Sequence, residues 1–318
     1  MIVLPNKAKQ YLLVTLKVFV LGLTFGIIYQ KLTDGEGLTL SQFLEAMTGR
    51  SALSTLWILV FLTLAAINWS LEVFKWKTVV STLRNISFRE ALKQSLAALT
   101  LSLATPGRIG DYGAKALFYP PGQRKQVLLL NFVVNSTQMF ITVLFGVLGL
   151  IVVGFRYSIS FSGTNLAVVA IVVALTVSLG YALRNKEFWI SGFSVSNVLR
   201  KLKIIPSVIW VRTLALSAFR YLVFTQLFCL LLYFFGVQLN YANMLFLVSS
   251  MYLLVSLAPT FLILDVVVRG GVAVWLFSLA GIPELPVLCT VLTMWLLNFG
   301  LPALWGSYYV ATFNAKHL

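Results

Sequence analysis

Long apolar runs separated by short polar connections dominate this chain, and they are too continuous to be alternating strands. Six runs, with approximate ends at 11–29, 54–74, 127–154, 165–183, 208–235 and 286–310, predict membrane-crossing helices. At about 1.5 Å of rise per residue each covers a hydrocarbon core of about 30 Å. Two further regions, 90–119 and 242–280, are apolar but broken in the middle by proline, and in the first also by glycine. Each predicts either a hairpin of two short helices or two tilted full spans.

The two broken regions share a pattern. Ser102-Leu103-Ala104 is followed by the break at Pro106-Gly107, then by Ile109, Asp111 and Lys115. A shift of 154 residues lands on Ser256-Leu257-Ala258, the break at Pro259, then Ile263, Asp265 and Arg269. The same shift carries 11–29 onto 165–183 and 54–74 onto 208–228, and brings the start of 127–154 to the approach of 286–310. The prediction is one membrane domain over 1–318, built of two halves at approximately 1–156 and 157–318. Each half reads helix, helix, broken hairpin, helix. Identity outside the hairpins is weak, so the match of architecture carries the repeat.

Composition agrees with an all-α, polytopic helical bundle. The chain is 59% hydrophobic and 10% charged, with a mean hydropathy of +0.93, far from the balance of a soluble domain. Its net charge of +15 is explained by basic loops on one side of a membrane, without nucleic acid. Lys7 and Lys9, the group from Lys75 to Lys93, Arg124 and Lys125, and the series from Arg184 to Arg212 are rich in cations. The segments Gly236–Tyr241 and Gly281–Leu285 are not. One topology satisfies this bias: both termini cytoplasmic, the first hairpin opening from the cytoplasmic side and the second from the other. The second half then lies upside down relative to the first, and the two broken hairpins approach from opposite faces, as in transporters built on inverted repeats. A bacterial inner membrane is the expected location. Lys17 within the first run, and the lack of a cleavage-like site after it, favour a retained helix over a signal peptide.

The candidate chemistry is sparse. With a single histidine, His317, and two cysteines, Cys229 and Cys289, inside apolar runs, no metal set, disulfide or histidine-based triad is expected. No nucleotide-binding loop is present, so neither a cofactor nor an enzyme is expected. The ionisable residues inside apolar segments are the better candidates, because such groups usually mark pathways. Asp111 and Lys115, like Asp265 and Arg269, are four apart and share a helix face. They read either as internal ion pairs or as substrate ligands. Pro106, Gly107, Gly110 and Pro259 are structural breaks. Arg108 follows the first break, where it either meets a phosphate at a helix start or snorkels to the interface. Arg220, in mid-span, needs a partner, and Glu72, Asp111 and Asp265 are available. Asn68, Asn131, Asn135, Gln138 and Gln226 either line a cavity or join helices. The tryptophans read as interfacial anchors.

The string Thr105-Pro106-Gly107-Arg108-Ile109-Gly110-Asp111, after Asn68-Trp69 and Lys75-Trp76-Lys77, resembles the flippase-like transmembrane family, which includes the membrane region of lysylphosphatidylglycerol synthases. Pro259 with Asp265-Val266-Val267-Val268-Arg269 resembles the family's second motif, with Phe261, Leu262 and Leu264 in place of its usual glycines. The resemblance covers most of the chain. It implies movement of a lipid or lipid-linked molecule between leaflets, without the aminoacyl-transferring domain of the synthases. Arg108, Lys115 and Arg269 would hold a headgroup phosphate, with Asp111 and Asp265 holding the cations in place or binding an amino headgroup, so an anionic or phosphate-bearing membrane lipid is the expected partner. Two other readings stand beside it: a secondary transporter of a small polar or anionic solute with an intramembrane Asp as proton carrier, and a non-transporting membrane subunit of a lipid or polysaccharide pathway.

Overall fold

The computed structural model describes residues 53–103, 105, 109–158, 194–257 and 264–313. The runs expected at 11–29 and 165–183 lie outside the described residues, as do Pro106, Gly107, Arg108 and Pro259. The backbone of Asp265 is helical, but its side chain is outside the description. Everything described is helix or short connection, with no strand among the described residues. The helices are α1 (Leu53–Val80), α2 (Phe88–Leu103), α3 (Ile109–Leu117), α4 (Pro121–Arg156), α5 (Val195–Leu202), α6 (Ser207–Phe234), α7 (Tyr241–Leu257), α8 (Leu264–Ser278), α9 (Glu284–Trp295) and α10 (Leu301–Ala311), with a π-helical turn at Leu296–Gly300 joining the last two.

Four segments are long and apolar enough to cross a membrane: Thr55–Val80, Pro121–Arg156, Ser207–Phe234 and Glu284–Ala311. The protein is an integral membrane protein of the all-helical class. These segments coincide with four of the expected runs. The first continues six residues past its expected end at 74, because Lys75 and Lys77, counted as loop charges, belong to the helix. On α4, Phe140, Leu144, Leu148, Ile151 and Phe155 are exposed along one face, an apolar stripe suited to acyl chains.

Both ambiguous regions are pairs of helices. In the first, α3 has only nine residues, about 14 Å of rise and too short to cross a bilayer. The junction is built locally. The Thr105 hydroxyl accepts the N–H of Gly110 at 2.7 Å and faces the Leu101 carbonyl at 3.2 Å. A Cβ on Gly110 would run into that same carbonyl, so the expected break residue is required for the close approach of α3 to the end of α2.

Displaced by 154 residues, the bounds of α1 fall on those of α6, and the bounds of α2 fall within one residue of those of α7. Packing follows the same exchange. α1 lies against α6, while α2 packs on α10 and α7 packs on α4. Each broken pair therefore rests on the last long helix of the other set. Small residues make both crossings close. A side chain at Gly306 would strike the Leu96 carbonyl of α2, and one at Gly149 would strike the Phe246 carbonyl of α7. Thr100 adds a bond across the first crossing, donating to the Ala303 carbonyl at 3.0 Å. Without a hydrophobic drive between helices in lipid, such close backbone contact carries association.

Gly306→Val should destabilise the protein by about 1–3 kcal/mol through overpacking. Gly113→Ala, where a Cβ meets nothing within 4 Å, should be neutral or slightly stabilising. Thermal melting in detergent checks both, and equal effects would contradict the packing described.

Candidate functional site

The polar residues of four helices converge inside this apolar bundle. α1 contributes Glu72 and Lys75, α3 contributes Asp111 and Lys115, α4 contributes Asn131, Asn135 and Gln138, and α6 contributes Ser217 and Arg220. On α4 the spacing of four and then three residues keeps its three amides on one face.

Two linked knots result. In the first, Lys115 lies 3.4 Å from Asp111 and donates to Asn131 Oδ1 at 2.8 Å. Asn131 and Asn135 donate to Asp111 Oδ2 at 2.6 and 3.3 Å. The Lys115 ammonium also stands 4.9 Å from the Trp76 ring centre. In the second knot, Glu72 Oε2 lies 3.1 Å from Lys75 and 3.4 Å from Arg220 Nε. Gln138 Oε1 accepts from Lys75 at 3.0 Å and from Arg220 Nη1 at 3.2 Å. Lys75 and Lys115 are almost wholly buried, whereas Asp111 and Arg220 keep 21% and 22% of their side-chain exposure. The most accessible charged members of the network are thus Asp111 and Arg220, with Glu72 at 14%.

The knots line a chamber of about 400 Å³. Its charged lining residues among those described are Glu72, Lys75, Asp111, Lys115 and Arg220, three cations against two carboxylates. A second chamber of about 370 Å³ adjoins it, walled by Phe224, Phe228, Tyr252, Met294 and Trp295, with Arg269 also in its lining. Gln138, Thr142, Arg220, Ser256, Asn298 and Phe299 line both and form the partition. Asn298 is placed by the π-helical turn. It accepts from the Asn68 side chain through Oδ1 and from Trp69 Nε1 through its carbonyl at 3.2 Å. Such turns are frequent at functional positions.

The structure brings Asp111, Lys115 and Arg220 together and places Arg269 in the neighbouring chamber, 5.7 Å from the Phe299 ring centre. Arg220 pairs with Glu72 and not with Asp111, while the Asp265 side chain lies outside the described residues. Gln226 bonds to Tyr241 instead and lines neither chamber. Lys75 and Asn298 were not singled out by sequence reasoning. Lys75 was hidden by its place in a basic cluster, although its i, i+3 spacing from Glu72 was a usable signal. Asn298 is one polar residue in an apolar run, and nothing in periodicity announces a π turn. Two tryptophans depart from the anchor role: Trp76 and Trp295 are buried, and Trp76 Nε1 donates to Gln94 Oε1 at 2.7 Å. Cys229 and Cys289 are buried free thiols. Among the described residues, no His, Cys, Asp and Glu gather in a group able to hold a metal ion.

Chemically, the charged chamber holds more cations than carboxylates among its described lining residues. Burying ions is costly unless each is paired, and here the described cations outnumber their carboxylates. The surplus charge and several N–H donors face an open volume, the arrangement that suits a phosphate. No family model matches the chain. A search of curated proteins finds no match either.

Removing one member should expose the dependence of the rest. Glu72→Ala leaves Lys75 and Arg220 without their carboxylate and should cost about 3–5 kcal/mol. In a double-mutant cycle with Arg220→Ala, the second change should recover part of that loss. Chemical denaturation in micelles reads both, and strict additivity would count against the Glu72–Arg220 pair.

Proposed function

We propose that this protein moves a lipid or lipid-linked molecule with a phosphate-bearing headgroup between membrane leaflets. One observation carries the reading: a chamber with surplus positive charge, enclosed by helices that cross a membrane and adjoining a second chamber whose wall is rich in aromatic side chains. A headgroup phosphate would neutralise Lys115, Lys75 and Arg220, while its hydrocarbon part stays with apolar walls or lipid. Arg108 and Asp265 belong to the same proposal on sequence grounds, as does Arg269 beside the aromatic chamber.

The fold reading that goes with it is an inverted repeat of two four-element halves. In it the helix pairs α2–α3 and α7–α8 are re-entrant hairpins that enter from opposite sides, with both termini cytoplasmic in a bacterial inner membrane. The matching helix bounds and the crosswise packing support the repeat, and the distribution of loop cations supports its inversion. The chain's resemblance to the flippase-like transmembrane family points the same way. A free polar solute with an Asp proton carrier is less well served, because the aromatic chamber gives an amphiphile something to bind that a small anion does not need. A subunit without transport activity would have no use for an open charged chamber.

The test is reconstitution into liposomes with headgroup-labelled lipids, read by chemical quenching of the outer leaflet. Wild type should move an anionic lipid faster than empty vesicles. Lys115→Met should slow it about tenfold or more, the loss of one charge-assisted bond to phosphate. No movement above background across a wide panel of phospholipids and prenyl phosphates would sink the proposal. Uptake of a soluble anion driven by a pH gradient would transfer support to the solute reading.

A further inference from the structure

Among the described residues, Arg220 is the one charged side chain that lines both chambers. Its attachments are of a particular kind. Glu72 Oε2 and Gln138 Oε1, the two acceptors it faces, are each also held by Lys75, at 3.1 and 3.0 Å, closer than Arg220 holds them at 3.4 and 3.2 Å. Its buried Nε makes no hydrogen bond of its own, the contact to Glu72 being an ion pair without one. Its guanidinium carbon lies 5.9 Å from the ring centre of Phe224, which belongs to the aromatic chamber alone. If Arg220 turned away, Glu72 and Gln138 would keep Lys75, and no buried acceptor would be orphaned. Lys75 and Lys115, by contrast, line only the charged chamber and are buried in place.

Resting on the translocation reading, we propose that Arg220 carries the phosphate group of the amphiphile across the partition. It binds the phosphate with one edge of its guanidinium while the other edge still faces Glu72, then swings with it toward the aromatic chamber as Lys75 retains the carboxylate. The step is an exchange of anionic partners and makes or breaks no covalent bond. It requires a planar cation with two usable edges, which Arg provides and Lys, a point charge, does not.

The full-length protein and its Arg220→Lys variant are compared in two measurements. Binding of dioctanoyl phosphatidic acid in detergent reads the charged chamber, and quenching of labelled phosphatidylglycerol in liposomes reads passage. Arg220→Lys keeps the charge that Glu72 faces, so it should fold; it should weaken binding about threefold, because Lys75 and Lys115 still face the phosphate, and slow translocation by a larger factor, about tenfold or more. Translocation at the wild-type rate would overturn the proposal. So would a loss of binding equal to the loss of rate, since Arg220 would then be only one more ligand of the first chamber. A wild type that binds but moves no lipid overturns the translocation reading itself and takes this proposal with it. A wild type that moves lipid while Arg220→Lys fails the pattern overturns this proposal alone.

Discussion

Glu72 is the point on which the interior depends. It sits in a membrane-crossing helix, where an unpaired carboxylate would be intolerable, and it is flanked by two cations from different sources. Lys75 comes from the next turn of the same helix and is local. Arg220 comes from α6 and can arrive only if α1 and α6 lie side by side. Pairing Glu72 therefore ties the charge balance of the interior to one helix–helix contact. Gln138 brings in a third helix by accepting from the same two cations. The cost of burying ions in an apolar bundle is offset here by a network that also sets how three helices stand.

Two close crossings, α2 on α10 and α4 on α7, hold the broken helix pairs against the long ones. Their geometry rests on glycines that meet carbonyls across the gap. The two sets of helices share this framework but not its polarity. At a shift of 154, Lys75 corresponds to Cys229, Asn135 to Cys289 and Gln138 to Leu292, while Lys115 corresponds to Arg269. One chamber consequently carries the ion network, and the other is rich in aromatic side chains, with Arg220 and Arg269 in its lining. That asymmetry is where the two ends of an amphiphile would find different surroundings.

Much of this was legible beforehand, for definite reasons. Hydropathy located the four described crossing helices because lipid and protein interior alike exclude polar backbone ends, so long apolar runs have few alternatives to helix. The break near Thr105 and Gly110 was visible because proline and glycine act locally. The Asp111–Lys115 pair was visible because i, i+4 spacing is a property of one helix. Lys75 was misjudged because a basic cluster just past an apolar run looks like a loop, whereas the helix continues and buries it. Trp76 was misjudged for the same reason: its position near a predicted end concealed its contacts with Gln94 and Lys115.

The sequence alone determined the class of the protein, the positions of its four described crossing helices and the scarcity of its charges, since each follows from composition and short-range pattern. Only the tertiary structure decided that Arg220 pairs with Glu72 and not with Asp111, that Asn298 reaches Asn68 and Trp69 from a π turn, and that two chambers share one partition. Those contacts span from 148 to 230 positions of the chain. They depend on which helices touch and at what rotation, which is the outcome of packing small residues against carbonyls and is written in no single segment.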